Sequence, residues 1–259
     1  MLTKSQRQYI DRLRRKIGKT VIKHNLIENN DCVLVGVSGG KDSLILLDAL
    51  TSKRSGIPIS YKVIAVHIQV KNVLYRADVN FIRDFAQERG FEFHVFDINP
   101  DFDRDKKVSP CFICSWNRRA ELFKLTKRFG CKKLAFGHHL DDAIETLLMN
   151  MAFNGEISAL PYSVEMFNGR FSIIRPMLNI RERDLIRYAK LTGLDNKELK
   201  KCNFADFSRR ETVKEIIKMF EKINPKAGIN IFRSTNKIID KYLPKLNVYE
   251  QSRRHSGTP

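Results

Sequence analysis

The chain has 259 residues, a length that allows one large domain or one domain with terminal additions. Its 47 basic and 29 acidic residues give a net charge of +18, which disfavours an enzyme for small neutral substrates and indicates a polyanionic partner; a lysine-rich composition without functional meaning is the alternative. No apolar window is long enough to cross a bilayer and residues 1–7 lack a signal-peptide core, so we expect a soluble, cytoplasmic protein with no membrane partner.

The order of the apolar segments predicts an α/β fold. Residues 4–27 are typical of a basic amphipathic helix. Strands are then predicted over residues 32–37, 61–68, 91–96 and 131–136, and helices over residues 44–50 and 77–89, from about residue 114, and over residues 141–151. Because strands that alternate with helices need crossover connections, the pattern predicts a doubly wound parallel sheet, with its ligand loops at the carboxyl ends of the strands.

The last third of the chain is predominantly helical in pattern. An irregular connection around residues 175–178 leads to predicted helices over 181–194 and 209–222. We therefore divide the chain into an N-terminal basic helix (1–28), an α/β domain (29–195) and a C-terminal helical extension (196–259).

A glycine turn, Ser38-Gly39-Gly40-Lys41-Asp42-Ser43, separates the first predicted strand from its helix. Strand, glycine turn and helix N-terminus together form an anion site, because glycine lets the backbone approach a ligand and the first-turn amides point at it. Lys41 adds a positive charge, whereas Asp42 beside a bound phosphate requires a metal ion. The spacing matches neither the Walker motif nor the dinucleotide-binding glycine motif. A turn that merely connects two elements is the alternative.

A second polar loop, Gly137-His138-His139-Leu140-Asp141-Asp142, follows the strand that ends at residue 136. In a doubly wound sheet this loop lies at the same edge as the glycine turn. Its imidazoles and carboxylates can orient a metal or a substrate, so Gly137, His138 and Asp141 are candidate site residues. The alternative is that Asp141 caps the following helix and His139 packs in the interior.

The five cysteines fall into two groups. Cys32 and Cys131 lie in strand-like runs, and we expect inert apolar side chains rather than a disulfide framework. Cys111 and Cys114 open a helix, whose dipole favours thiolates. Zinc requires four ligands, but Cys202 is the only further cysteine in a polar connection. Three thiolates with one open position suit an iron–sulfur cluster; a redox pair or a structural origin is the alternative.

Together these segments resemble the tRNA 2-thiocytidine biosynthesis (TtcA) family of the PP-loop ATP pyrophosphatase superfamily, whose fold is adenine nucleotide alpha hydrolase-like. The likeness covers nearly the whole chain. The segment Ser38–Ser43, the PP-loop of this resemblance, identifies only the superfamily, and its combination with the cysteine arrangement is more specific. The likeness also includes the N-terminal basic helix, Asn117-Arg118-Arg119, Glu145-Thr146, Arg175-Pro176, Arg181-Glu182 and Cys202-Asn203.

The resemblance implies an ATP-dependent tRNA sulfurtransferase. ATP and Mg²⁺ would activate a pyrimidine C2 carbonyl oxygen by adenylation, and sulfur held at the free iron of a [4Fe-4S] cluster would replace it. The implied target is a cytidine at the start of the anticodon loop, the sulfur donor is a cysteine desulfurase or free sulfide, and a homodimer is one option.

The resemblance also implies roles for individual residues. The cofactor-binding residues are Ser38, Gly39, Gly40, Lys41, Asp42, Ser43, Gly137 and His138, the catalytic residues are Lys41, Asp42, Asp141, Cys111 and Cys114, and the cluster ligands are Cys111, Cys114 and Cys202. Phosphates of tRNA would be bound by basic residues, with Arg14, Arg15, Arg118, Arg119, Arg209 and Arg210 as the candidates.

One departure from the family pattern concerns the third cysteine. Many relatives carry Cys-Asn-Leu-Cys in the later motif, where this chain has Cys202-Asn203-Phe204-Ala205, so only Cys202 is available. Related uridine thiolases add paired-cysteine zinc ribbons at both ends. This chain has no cysteine before Cys32 or after Cys202, which disfavours that branch.

Two alternative functions remain open from the sequence. A lysidine synthetase is also a PP-loop enzyme and joins lysine to an adenylated cytidine without a cluster, but the three cysteines argue against it. A non-catalytic nucleic-acid-binding protein with a vestigial nucleotide site is the other, and the intact PP-loop argues against that.

Overall fold

A computed structural model describes residues 2–102, 108–195 and 209–244. The predicted cluster ligand Cys202 therefore lies outside the described residues. The helices are α1 (Lys4–Lys23), α2 (Lys41–Thr51), α3 (Val79–Arg89), α4 (Pro110–Arg128), α5 (Leu140–Met149), α6 (Glu182–Thr192), α7 (Arg209–Ile223) and α8 (Ala227–Ser234). The strands are β1 (Cys32–Gly36), β2 (Lys62–Val70), β3 (Glu92–Ile98), β4 (Lys133–Ala135), β5 (Ser163–Met166) and β6 (Phe171–Ile174).

The six strands form one sheet in the order β3-β2-β1-β4-β6-β5. Strand β1 pairs in parallel with both β2 and β4, so Val33 lies between Val63 and Lys133. The strand at one edge, β5, runs antiparallel to β6. The predicted doubly wound α/β sheet is confirmed, with the correction that a β5–β6 hairpin precedes the irregular connection around residues 175–178.

Apolar side chains cover both faces of the sheet. On one face, side chains of β1 pack with α1, α2 and α6, and fully buried members include Ile17, Leu46 and Leu185. On the other face, β2 and β4 pack against α4 through side chains such as Leu125 and Leu134. The predicted basic helix α1 thus shares the main core, and the predicted domain boundaries remain a prediction.

A buried carboxylate, Asp48 on α2, contacts side chains from three other helices. Its oxygens lie 2.8 Å from a guanidinium nitrogen of Arg14 on α1 and 3.1 Å from one of Arg89 on α3. The hydroxyl of Tyr188 on α6 donates to the same carboxylate. The ion pair with Asp48 leaves only 15% of the Arg14 side chain exposed, so Arg14 has a structural role, and its tRNA contact stays a prediction.

The structure corrects the expectation for two cysteines. Cys32 and Cys131, predicted to be inert thiols, are joined in a disulfide with their Cα atoms 4.5 Å apart. They approach each other because Cys32 opens β1 and Cys131 lies just before β4, the neighbouring parallel strand. This end of the sheet is opposite to the end that carries the PP-loop.

Candidate active site

The PP-loop is shaped by its own serines and glycines. At Gly39 the backbone has φ +89°, and a Cβ atom there would lie 2.6 Å from Cβ of Ala77. The Ser43 hydroxyl donates to the carbonyl of Gly40 at 2.9 Å and accepts from the amide of Ser38 at 3.2 Å. These hydrogen bonds of the serine hydroxyls fix the conformation of the loop. The first-turn amides of α2 lack partners within the helix, so they are the groups that can bind an anion.

The two charged residues of the PP-loop are in contact. The Lys41 ammonium lies 3.2 Å from Asp42 and 3.3 Å from Glu182 on α6. Burial lowers the pKa of Lys41, but these carboxylates outweigh it and the pKa lies above its ordinary value. Burial raises the pKa of Asp42 above its usual range against the opposing effect of Lys41, and within the described residues its buried Oδ1 has no hydrogen-bond partner. A cation would satisfy this oxygen.

The second loop packs directly on the PP-loop, as the sequence predicts. A Cβ atom at Gly137 would lie 2.9 Å from the carbonyl carbon and oxygen of Asp42, so only glycine permits this approach. Next to it, His138 lines a cavity that Asp42 and Ser43 of the PP-loop also line. Burial lowers the pKa of His138 to about 4. The imidazole is therefore neutral near pH 7 and can accept or donate a hydrogen bond without adding charge.

The alternative for the second loop is correct in that His139 is buried, and wrong in that Asp141 does not cap α5. His139, and not Asp141, caps α5, because its Nδ1 accepts from the amide of Asp142 at 3.3 Å. Asp141 instead accepts from the amide of Glu182 at 2.6 Å and pairs with Arg181 at 2.9 Å, so it fixes the start of α6. Among the three, Asp142 lines the cavity together with Asp42. Asp141 is not among the described lining residues, and its predicted catalytic role stays a prediction.

A buried acid, Glu145, lies one helical turn beyond Asp142. Burial raises the pKa of Glu145 to about 7. Its Oε2 is 3.1 Å from Nε of Arg210, an ion-pair distance without hydrogen-bond geometry. Arg210 was expected to bind tRNA phosphates, but it comes from α7 into the cavity wall and also approaches Asp142 at 4.0 Å. Sequence reasoning assigned no role to Glu145 beyond the family likeness, because its environment depends on α7.

Helix α4 carries the predicted cysteine pair beside residues that line this cavity, such as Phe112 and Ser115, although neither cysteine is among the described lining residues. The helix begins at Pro110, earlier than predicted, and Ser109 caps it, so Cys111 and Cys114 both lie near its N-terminus. Cys111 is exposed and Cys114 is partly buried. Within the described residues no three His, Cys, Asp or Glu side chains form a metal-binding group.

One cavity of about 1720 Å³ joins these elements. It is lined by the PP-loop, the second loop, α4 from Phe112 to Lys127, the residues just before β4, the β5–β6 hairpin and Arg210 of α7. Small-molecule sites occupy about 300–1000 Å³, so this cavity can hold a nucleotide together with part of a second substrate. In the described part of the chain, no helix is long and apolar enough to cross a membrane.

The remaining predicted tRNA-binding residues lie in different places. Arg118 and Arg119 line the cavity, the first half-buried and the second exposed. Arg15 is exposed on α1. Arg209 is exposed at the start of α7, with its guanidinium 5.0 Å from the centre of the Phe153 ring. These residues stay predictions as tRNA contacts.

Comparisons with known proteins agree with this architecture. The family model described as PP-loop domain matches residues 9–224. A tRNA-cytidine(32) 2-sulfurtransferase from Geobacter sulfurreducens is 34% identical over 93% of this chain and 97% of its own length. Another from Pseudomonas fluorescens is 32% identical over 96% of this chain and 92% of its own length.

A solved structure shows the same likeness in three dimensions. The U34-tRNA thiolase from Methanococcus maripaludis with its [4Fe-4S] cluster is 25% identical, with a TM-score of 0.70 over 93% of this chain and 82% of that chain. The sequence-based recognition of the PP-loop tRNA thiolases is confirmed. The chain belongs to the PP-loop domain family and, within it, to the family of the tRNA-cytidine(32) 2-sulfurtransferases.

Proposed function

We propose that the chain is an ATP-dependent tRNA sulfurtransferase that replaces the C2 oxygen of a cytidine with sulfur. The proposed target is position 32 of the anticodon loop, which the names of its relatives give. The observation that carries the proposal is that the PP-loop lines one cavity with Phe112 and Ser115, the sequence neighbours of the two cysteines on α4. Activation of the base and delivery of sulfur can therefore occur without moving the RNA between sites.

The PP-loop is suited to the adenylation step. The C2 oxygen of the base attacks the α-phosphorus of ATP, and pyrophosphate leaves. The α2 amides and Lys41 would stabilise the negative charge that develops on the leaving pyrophosphate. Lys41 is already held within 3.3 Å of Glu182, so its ammonium is charged and positioned before ATP binds.

A divalent cation fits beside the PP-loop. The carboxylate of Asp42 has a buried, unpaired oxygen among the described residues, and Asp142 lines the same cavity. We propose that these two carboxylates hold Mg²⁺, with ATP phosphates and water as its other ligands, as is usual for this ion. The ion would neutralise phosphate charge during adenylation.

The donor set at α4 suits an iron–sulfur cluster. Two thiols lie at a helix N-terminus, where the dipole lowers the cost of thiolates. We propose Cys202 as third ligand, since residues 203–209 separate it from Arg210 in the cavity wall and a chain of that length spans at most about 27 Å. A [4Fe-4S] cluster bound there would supply an open iron for the incoming sulfur. The incoming hydrosulfide then forms a bond to C2, and AMP leaves with the former C2 oxygen.

Assembly, location and sulfur source form part of the same proposal. An exposed apolar stripe on α7, made of Ile216, Met219, Phe220 and Ile223, supports a homodimer. We propose that the protein acts in the cytoplasm, where tRNA is modified, and that a cysteine desulfurase or free sulfide supplies the sulfur.

The decisive experiment combines two measurements on the anaerobically purified protein with tRNA, ATP, Mg²⁺ and sulfide. Mass analysis of digested nucleosides should show 2-thiocytidine, and pyrophosphate should be released only when tRNA is present. Incorporation of lysine instead would establish the lysidine synthetase reaction. Absence of pyrophosphate release would indicate a non-catalytic RNA-binding protein.

A further inference from the structure

The cavity extends beyond the PP-loop along α4 to the tip of the β5–β6 hairpin, and this arm has exposed aromatic side chains. On α4, Phe112 is 54% exposed and Trp116 is 57% exposed. At the hairpin, Phe167 is 55% exposed, and its ring lies 5.8 Å from that of Phe123 on α4. All four line the cavity; Phe112, Trp116 and Phe167 expose about half of their surface, whereas Phe123 is half-buried and also packs against the core.

The spacing on α4 aligns these rings with basic residues. Phe112, Trp116 and Arg119 follow each other at intervals of four and three positions, which places them on one helix face. Arg170 approaches from the hairpin, and Lys124 lies further along α4. The structure thus alternates aromatic and cationic groups along the groove.

The charges that line the cavity identify the class of occupant. In the described part of the chain, its cationic residues are Arg118, Arg119, Lys124, Lys127, Lys132, Arg170, Arg175 and Arg210. Its carboxylates are Asp42 and Asp142, both beside the PP-loop. Among the described residues, the groove has exposed aromatic rings and cations but no lining carboxylate away from the PP-loop, so it complements a polyanion that carries flat apolar groups. Single-stranded RNA has this chemistry, since its bases stack on aromatic rings and its phosphates pair with Lys and Arg.

We propose that this groove receives the unpaired anticodon loop of the RNA, with one base stacked on Trp116 and the loop phosphates on Arg119 and Arg170. The inference rests on the proposed function and adds to it the surface that recognises the loop. A duplex buries its base faces, so Trp116 favours a loop over a helical stem, whereas Arg119 attracts the phosphates of both. Trp116 is then a determinant of substrate choice, next to the cysteine pair on the same helix.

Binding of two synthetic RNAs to the holoenzyme tests this inference: an anticodon stem–loop, and a duplex of the same stem without the loop. Trp116→Leu should weaken stem–loop binding by roughly tenfold or more and leave duplex binding unchanged, because one base–aromatic stack is lost. Trp116→Phe should restore most of the loop preference. Arg119→Ala should weaken both RNAs alike and reduce the log–log salt slope by about one.

A matched control is Tyr242→Leu, which removes an aromatic ring that is 75% exposed and lies outside the cavity lining. It should leave the preference for the stem–loop unchanged. If wild type thiolates tRNA but Trp116→Leu keeps the full loop preference, the groove inference is wrong while the proposed function stands. If wild type prefers neither RNA and thiolates none, the proposed function itself fails. A melting temperature equal to that of wild type confirms that Trp116→Leu still folds.

Discussion

Lys41 of the PP-loop and Glu182 at the start of α6 form an ion pair, with Nζ 3.3 Å from Oε1. The Glu182 amide in turn donates to Asp141, so the α6 start is fixed to the second loop as well. Lys41 is thus oriented by a helix more than a hundred residues away in sequence, and its charge is balanced before any nucleotide arrives.

Replacement of the PP-loop charges should abolish the first chemical step. Lys41→Ala and Asp42→Ala should each lower the rate of tRNA-dependent pyrophosphate release by at least about a hundredfold, because the leaving group and its cation lose their partners. Glu182→Gln keeps the lysine and should retain most of the rate. Near-wild-type thiolation by both alanine variants would contradict the assignment of the phosphate site.

The approach of the two loops gives a steric prediction. Gly137→Ala places a Cβ atom 2.9 Å from the Asp42 backbone, so the PP-loop must shift and ATP turnover should fall roughly tenfold to a hundredfold. Gly90→Ala is the control, since its φ of +68° carries a backbone cost of about 1 kcal/mol but no atom lies within 4 Å of the added carbon. Equal ATP turnover in both variants would show that the loop contact is not required.

The raised pKa of Glu145 predicts how stability changes with pH. Its pKa is about 7 in the folded protein against 4.5 for an unperturbed glutamate, so the folded state binds the extra proton and ionisation destabilises it. Relative to Glu145→Gln, wild type should lose up to about 3 kcal/mol of unfolding free energy as the pH rises through the interval from 4.5 to about 7. Denaturant unfolding of both proteins at the two ends of the interval measures the difference. A constant difference would show that Glu145 titrates normally.

Two adjacent arginines on α1 should behave differently. Arg14→Met removes a partner of the buried Asp48 carboxylate and should destabilise the fold by about 3 kcal/mol. Arg15 is exposed, so Arg15→Met should change stability by less than about 0.5 kcal/mol. If Arg15 contacts a phosphate, its replacement should also reduce the salt slope of tRNA binding by about one. Urea unfolding and filter binding separate the two effects.

The cysteines provide a test of the cluster proposal. Cys111→Ala, Cys114→Ala and Cys202→Ala should each lose the cluster or its activity, because a site with three ligands has no spare thiolate. Cys32→Ala and Cys131→Ala lie at the opposite end of the sheet and should keep both. Iron and sulfide assays on anaerobically purified variants provide the measurement. A full, active cluster in Cys202→Ala would leave Cys111 and Cys114 as a redox or persulfide pair.

Much of the fold is predictable from local sequence because its central strands are buried. The strands β1, β2 and β4 are largely buried segments between helices, β3 is a half-exposed edge strand, and glycine loops follow β1 and β4 at the site edge of the sheet. The β5–β6 hairpin was missed because β5 is short and mostly exposed. Its signal was the turn Asn168-Gly169, where both residues have positive φ, the usual chemistry of a tight hairpin.

The candidate site was predictable only in part, for a different reason. The PP-loop and the cysteine pair carry their chemistry in contiguous sequence. Asp141 pairs with Arg181, which lies 40 residues further along the chain. Glu145 on α5 meets Arg210 on α7, which is also distant in sequence. No local sequence pattern reveals these contacts. Sequence assigns residue types to the site, whereas packing decides which of two neighbours, such as Asp141 and Asp142, faces the cavity.

The contacts between α2 and α6 also determine how the site can move. The two helices meet at Lys41 with Glu182 near their first turns and at Asp48 with Tyr188 further along, so they run side by side in the same direction. ATP phosphates compete with Glu182 for the lysine, whereas the Asp48 cluster is buried and remote from them. Release of the first contact therefore frees the lysine to follow the phosphates, while α6 keeps its place, because Asp141 holds its first turn and the buried Asp48 cluster holds it further along.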